Sequence, residues 1–397
     1  MSNNKRRLIY LLVYLAYTTI YISRVSMSVA ETELEALSVF DAAGYGVIGG
    51  AFSTVYSIGR LINGRIGDKT PPWIMLSIGL CVGGVATLAI GALPPYIGVL
   101  LLWVANAYAQ SMLWSSVLAV VSHIYEGPGL KRMTSIMVTA VATGNVLAIV
   151  LGGFLIDALG VSFAFIIPGA LNVLLGVVII LSTRGIPAPE SDVEEEKRTS
   201  IRELLKNKDL CLMAIPSVFH GVMKENVTVW MVAYAAFAFG ADLSSAKYYV
   251  LLIPLIGLAG RLLYPPALRL CREEENRVSE IGFAVSLVAS VLLLFTGLGL
   301  TLAVISLGIV YAATSMINTS ITSIYPLSYK ESGNLPSVSG ILDFTSYLGA
   351  GISSAVYGVV IKYFGYVPMF VSWIVISAIS IVLLLYIDNR RKKKGRV

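Results

Sequence analysis

The chain of 397 residues is 56% hydrophobic and only 13% charged, with a mean hydropathy of +0.80, whereas a soluble globular chain is about a quarter charged. This balance excludes an ordinary soluble domain and predicts a polytopic membrane protein. The net charge of +6 then reads as membrane topology, and no nucleic-acid partner is expected.

Apolar stretches near the roughly 20 residues needed to span a bilayer recur about twelve times, at 8–30, 43–66, 73–93, 96–122, 133–157, 161–182, 209–239, 245–268, 278–297, 300–327, 335–361 and 366–388. The first run is too long, and too poor in a small-residue cleavage site, to read as a removable signal peptide. Lysine and arginine gather at the two termini and in alternate loops, including Lys131-Arg132 and the run Arg390 to Lys394; Lys247 and Lys362 fall on the other side. Because cytoplasmic loops carry the basic excess, both termini are expected in the cytoplasm, with the chain crossing the inner membrane.

Between spans six and seven comes a polar segment with Pro187-Ala-Pro189 and the charge run Glu194 to Arg198. It is too polar for lipid and long enough to join two bundles. The expected organisation is a six-helix bundle over 1–183, a cytoplasmic linker over 184–208 and a second six-helix bundle over 209–397. Ser200 to Lys206 has the pattern of a short amphipathic surface helix. Cys81, Cys211 and Cys271 show no metal-ligand spacing and imply no disulfide framework. With no phosphate-cradling glycine loop and only two histidines, neither a nucleotide-driven pump nor a metalloenzyme is expected, and no cofactor is called for. Transport energy would come from an ion or substrate gradient.

The halves echo each other at a spacing of about 200 residues. Arg24 in span one is matched by Lys224 in span seven, and Ile58-Gly-Arg-Leu61 in span two by Ala259-Gly-Arg-Leu262 in span eight. Parallel repeats of this kind characterise six-plus-six transporters that bind substrate near the midplane. Arg24, Arg60, Lys224, Arg261, Glu225 and Asp343 all fall within spans. An ionised group there costs about 2.5–3.5 kcal/mol on insertion scales, so each marks a polar cavity or an ion pathway by default.

Arg24 lies roughly 24 Å along its helix. Tyr17, Tyr21, Arg24 and Ser28 share one helical face, as do His220, Lys224 and Thr228 in span seven. Arg24 and Lys224 could grip one anion from two sides; the bland alternative is that each pairs with a carboxylate and fastens helices together. In span two Arg60, Gly64 and Asp68 recur every four residues. Arg60 and Asp343 lie at matching depth, so an ion pair that opens and closes with alternating access is one reading; proton carriage by Asp343, or by Glu225 and His220, is the other. A histidine near a helix end is more often a plain polar group. Asn106, Gln110 and Trp114 in span four could read the substrate's polar body, or only hydrogen-bond between helices.

Gly64-Arg-Ile-Gly-Asp68-Lys69 resembles the loop signature of the major facilitator superfamily, although Thr70-Pro-Pro72 replaces its downstream Gly-Arg-Arg and Arg269 stands where the second copy would carry aspartate. Tyr17-x3-Tyr21-x2-Arg24, Tyr56 to Gly64, Asn106 to Trp114 and Lys224 to Met231 resemble the organophosphate:phosphate antiporter family, which includes glycerol-3-phosphate and hexose-phosphate transporters. The resemblance implies an all-α major facilitator fold of twelve transmembrane helices in two pseudo-repeats. It also implies a phosphate clamp of Arg24 and the basic residue of span seven, with Arg60 and Tyr21 beside it. The chain departs from that pattern where Lys224-Glu225-Asn226 replaces an arginine followed by aspartate and glycine, and where Asp343 stands in place of an amide.

The expected function is a secondary transporter of a small organic anion, a phosphate ester first and a sugar acid or carboxylate second, with phosphate or protons as the coupling species and a monomer as the working unit. The competing expectations are a proton-coupled exporter of drugs or metabolites and a transporter-like sensor of phosphate esters.

Overall fold

A computed structural model describes residues 2–184, 186, 200–239, 243–295 and 299–393. The described residues are overwhelmingly helical, and each of the twelve expected spans coincides with a helix or a pair of consecutive helices. These are α1 (Asn3–Val29), α3 (Ala42–Gly67), α4 (Pro72–Ile90), the pair α5 (Tyr96–Ser111) and α6 (Leu113–Ile124), α7 (Gly127–Leu159), α8 (Phe163–Ser182), α10 (Lys208–Phe239), α11 (Leu243–Leu270), α12 (Glu275–Leu292), α13 (Gly299–Asn318) with its continuation to Tyr329, α14 (Leu335–Phe364) and α15 (Val367–Lys393). Two short helices, α2 (Glu31–Ala36) and α9 (Ile201–Leu204), lie outside the spans; α9 falls on the expected amphipathic segment. Most of the expected linker, 187–199, lies outside the described residues.

Eight of these stretches among the described residues are long and apolar enough to cross a membrane by length and composition alone. The other four are α3, α10, α11 and α12. Three of them carry Arg60, Lys224 with Glu225, and Arg261; α12 is short and opens with Glu275, Arg277 and Glu280.

The chain forms two compact units, Met1–Thr199 with Tyr329–Gly340, and Ser200–Ser328 with Ile341–Val397. In the first, α1 packs on α7, α4 on α8 and α5, and α3 on α5; in the second, α12 packs on α15 and α13, and α10 and α11 on α13. Close approaches repeat between the halves of the sequence. A methyl group added at Gly144 would lie 2.5 Å from the Thr18 carbonyl oxygen, and one at Gly349 would lie 2.5 Å from that of Val218. Likewise Gly59 abuts the Ser111 side chain, and a methyl at Gly260 would sit 2.5 Å from the Ala312 carbonyl oxygen. Small residues at matching positions let matching helices approach closely, backbone to backbone at Gly144, Gly349 and Gly260 and backbone to side chain at Gly59.

Two spans depart from a plain α-helix. Span four breaks at Met112, where Ser111 Oγ donates to the Tyr108 carbonyl (2.6 Å) and Ser116 Oγ to the Met112 carbonyl (2.7 Å). Span ten passes into a π-helix over Thr319–Ile324 and then a 3₁₀ turn over Tyr325–Tyr329. There Thr319 and Thr322 hydroxyls bond the carbonyls four residues back. Side-chain back-bonding of this kind competes with the regular ladder and bends helices.

Candidate functional site

In the first unit the Arg24 guanidinium is held in an aromatic cage. Its Cζ lies 4.3 Å from the ring centroid of Tyr56, 5.1 Å from Phe52 and 5.6 Å from Tyr21. The Tyr56 ring serves a second cation as well, since Arg60 Cζ sits 5.2 Å from its centroid. Each such contact contributes roughly 0.5–2 kcal/mol according to its desolvation. Aromatic rings suit a planar guanidinium, whose N–H groups are the donors that recognise an oxyanion. Tyr17 is buried behind this cage, 5.4 Å from the Tyr21 ring and 5.0 Å from that of Trp114.

Arg24 opens into a cavity of about 330 Å³, lined also by Ser28, Tyr45, Phe52, Ser53 and Trp103, with Gly46, Gly49 and Gly50 forming one wall. Arg24 is the charged residue of that lining. Phe52 and Tyr56 precede Arg60 at steps of four on α3, so the cage has a sequence signal; reading the row from Arg60 downward to Asp68 misses it. Asn106 and Gln110 do not line this cavity. Both are buried, and Gln110 Nε2 donates to Asn106 Oδ1 at 3.1 Å, which favours the helix-fastening reading.

In the second unit Lys224 is half-buried and Glu225 exposed. Thr228 Oγ1 donates to the Glu225 carbonyl at 2.6 Å. Asn226 Nδ2 donates to Ser353 Oγ at 2.8 Å and its Oδ1 accepts from Trp230 Nε1 at 3.1 Å. Arg261 is buried and donates from Nη1 to the Gly257 carbonyl at 3.1 Å. Asp343 is 5% exposed. Arg24, Arg60 and Asp68 belong to the first unit, Lys224, Glu225, His220 and Asp343 to the second.

At the other end of α3 the segment Tyr329–Gly340, part of the first unit, seats on the helix. Asp68 Oδ1 accepts from the Ser337 backbone N–H at 2.9 Å, Oδ2 accepts from Ser337 Oγ, and Arg65 Nη1 donates to Oδ2 at 3.1 Å. Ser337 lies in the first turn of α14, whose N–H groups have no partner within the helix, so Asp68 acts as a cap supplied from a different helix. A methyl at Gly64 would lie 2.7 Å from the Pro336 carbonyl oxygen, and Gly340 abuts the Arg60 carbonyl. Burial pushes the Asp68 carboxyl up from its ordinary value, and the Ser337 and Arg65 hydrogen bonds pull it part of the way back.

The sequence profile described as Major Facilitator Superfamily matches residues 8–334. The chain belongs to the major facilitator superfamily. Among similar proteins, a probable hexose phosphate transport protein of Chlamydia trachomatis is 24% identical over 428 residues, covering 98% of this chain and 92% of its own. The membrane sensor protein UhpC of Escherichia coli is 22% identical and covers 65% of this chain and 63% of its own. A glycerol-3-phosphate transporter of Haemophilus influenzae is 25% identical over 46% of this chain and 35% of its own. The crystal structure of the transporter FucP in the outward conformation superposes with a TM-score of 0.80 at 16% identity, over 98% of this chain and 99% of FucP, a likeness of fold.

In this superfamily member His220 is fully buried with both ring nitrogens engaged. Nδ1 donates to the Ser217 carbonyl at 2.7 Å, while Nε2 accepts from Asn318 Nδ2 at 3.0 Å and from Ser346 Oγ at 3.3 Å. The ring thus ties α10 to α13 and α14, which favours a packing role. His220→Ala is expected to cost about 1–3 kcal/mol of stability through the groups it leaves unsatisfied, seen as a lower melting temperature. The pH profile of transport should keep its shape, and a profile that flattens would return His220 to the coupling machinery.

Proposed function

We propose that this protein is a secondary transporter that carries a small organic anion, a phosphate ester in the first place, across the inner membrane by alternating access. The Arg24 cage opening into its cavity carries the reading: a guanidinium held among rings is a fork for an oxyanion, and the aromatic and glycine walls leave room for an organic body. The names of the hexose phosphate and glycerol-3-phosphate transport proteins it resembles point to the same chemistry. Lys224 supplies the second charge on the phosphate as a point charge without a fork. Tyr21, Tyr17 and Thr228 shape the surroundings of the bound anion, with Asn106, Gln110 and Trp114 holding span four behind it. Arg60 and Asp343 gate the path, or Asp343 carries a proton. The termini face the cytoplasm, the working unit is a monomer, and inorganic phosphate or protons couple the movement.

The similarity to UhpC favours one second reading, a sensor that binds the same ester without net flux. Two measurements on purified protein test both. A ligand that binds the native state stabilises it by RT ln(1 + [L]/Kd), about 2.7 kcal/mol at a hundredfold excess over Kd. Phosphate esters should therefore raise the melting temperature, whereas lipophilic cations should not. Exchange of an ester for phosphate in liposomes containing only this protein supports transport; stabilisation without any flux supports sensing. Stabilisation by cations alone would defeat both.

A further inference from the structure

The second unit carries a pocket that the transport reading leaves unused. It lies between α12 and α15, at the end where the basic run of α15 begins, with a volume of about 280 Å³. A water molecule's share of liquid volume is about 30 Å³, so the pocket accommodates a far larger group. Arg277 and Lys392 line it as cations, Glu280 and Asp388 as anions, and Ile281 and Leu385 as apolar groups. Neighbouring charges are tied down. Arg390 Nε pairs with Asp209 at 3.2 Å, and Arg391 lies 3.7 Å from Glu275 and 4.8 Å above the Tyr325 ring. Asp388 Oδ1 accepts from Asn276 Nδ2 at 2.5 Å, which holds that carboxylate in place. Glu280 Oε1 is buried and has no hydrogen-bond partner among the described residues. An oriented acceptor of this kind costs free energy unless a donor reaches it.

The apolar side of the pocket continues along both helices. Ile281, Val285 and Val288 recur on one face of α12 at 54%, 40% and 60% exposure, and Leu385 and Val382 of α15 are 47% and 65% exposed. A chain that spans a membrane turns such rows to lipid. The lining thus offers a hydrogen-bond acceptor pair for a cation, two cations for an anion, and an apolar track that leaves the polar group toward the hydrocarbon.

We propose that this pocket is a binding site for a zwitterionic phospholipid whose head group is a primary ammonium, of the phosphatidylethanolamine class. Its ammonium donates to Glu280 Oε1 and to the Asp388 carboxylate. Its phosphate meets Lys392 and the N–H groups of Arg277 not used on Glu274, with which Arg277 forms an ion pair. The acyl chains follow the exposed rows of α12 and α15. A trimethylated ammonium cannot donate to Glu280, and a glycerol head group brings no positive charge to the carboxylates. Under the topology proposed above, the site faces the cytoplasmic leaflet.

Native mass spectrometry of the delipidated full chain tests this, with phosphatidylethanolamine, its N,N-dimethyl derivative, phosphatidylcholine and phosphatidylglycerol each added in turn. Phosphatidylethanolamine should be retained about tenfold more tightly than phosphatidylcholine, the effect of one or two hydrogen bonds to a charged group, with the dimethyl lipid between them. Glu280→Gln should erase that preference, and Lys392→Ala should weaken every phospholipid while preserving it. Ile281→Trp, at an exposed position, should block the pocket mouth and also erase it, which covers the case in which Glu280→Gln does not fold. Equal retention of ethanolamine and choline lipids by the wild type would overturn the proposal, as would a preference that survives both pocket variants.

Discussion

Arg24→Ala is expected to remove the stabilisation by phosphate esters altogether and, with it, uptake. Truncating one partner of a desolvated, hydrogen-bonded charge pair costs about 2–5 kcal/mol, roughly 30-fold to several-thousandfold in Kd. Because Arg24 is half-buried and lies against the rings of Tyr21, Phe52 and Tyr56, its loss also removes ring contacts, so folding must be checked by the melting temperature without ligand. Arg24→Lys separates charge from shape. It keeps a cation near the cage but loses the planar fork, and should bind phosphate esters more weakly than wild type and more tightly than Arg24→Ala. Tyr56→Leu asks the converse question, since it removes the ring shared by Arg24 and Arg60; weaker ester binding with the guanidinium present would show that the cage orients the fork. Wild-type stabilisation in Arg24→Ala would end the anion reading for this cavity.

What was legible in the sequence follows from what lipid makes expensive. Twelve apolar runs stood out because backbone polar groups must be satisfied within a segment that crosses hydrocarbon, and each run coincides with helix. Arg24 stood out for the same reason. Its cage was less visible, because Phe52 sits on a different helix and looks like any lipid-facing aromatic until α1 and α3 are placed together. The amides of span four were visible as polar residues, but their type alone does not separate a substrate contact from the Gln110 to Asn106 bond that forms. The break at Met112 and the π-helix at Thr319 were not read, since serine and threonine back-bonding has no periodic signature. The role of Asp68 was half read. Its place in the loop signature marked it, whereas its partner Ser337 lies hundreds of residues away and is an uncharged serine, one of many in the spans, that suggests no pairing.

Asp68→Ala carries the second large expectation. The substitution leaves the Ser337 N–H and hydroxyl without their acceptor and frees Arg65 from its carboxylate. Hydrogen bonds to a charged group contribute about 1.5–3 kcal/mol, so the Ser337 amide should exchange with solvent deuterium roughly tenfold to hundredfold faster. Asp68→Asn keeps one oxygen and should fall between. Gly64→Val approaches the same contact sterically, because its side chain would press on the Pro336 carbonyl. If the cap is a latch on the start of α14, both variants change turnover in liposomes while the ester-dependent rise in melting temperature persists, because the Arg24 cage lies four helical turns away along α3. Phe52, Tyr56, Arg60, Gly64 and Asp68 follow one another at every fourth position of that helix, a winding row with the anion site at one end and the cap at the other. Loss of ester binding in Asp68→Ala would mean that the two ends do not act separately. Unchanged exchange at Ser337 would mean that the cap contributes nothing to holding α14.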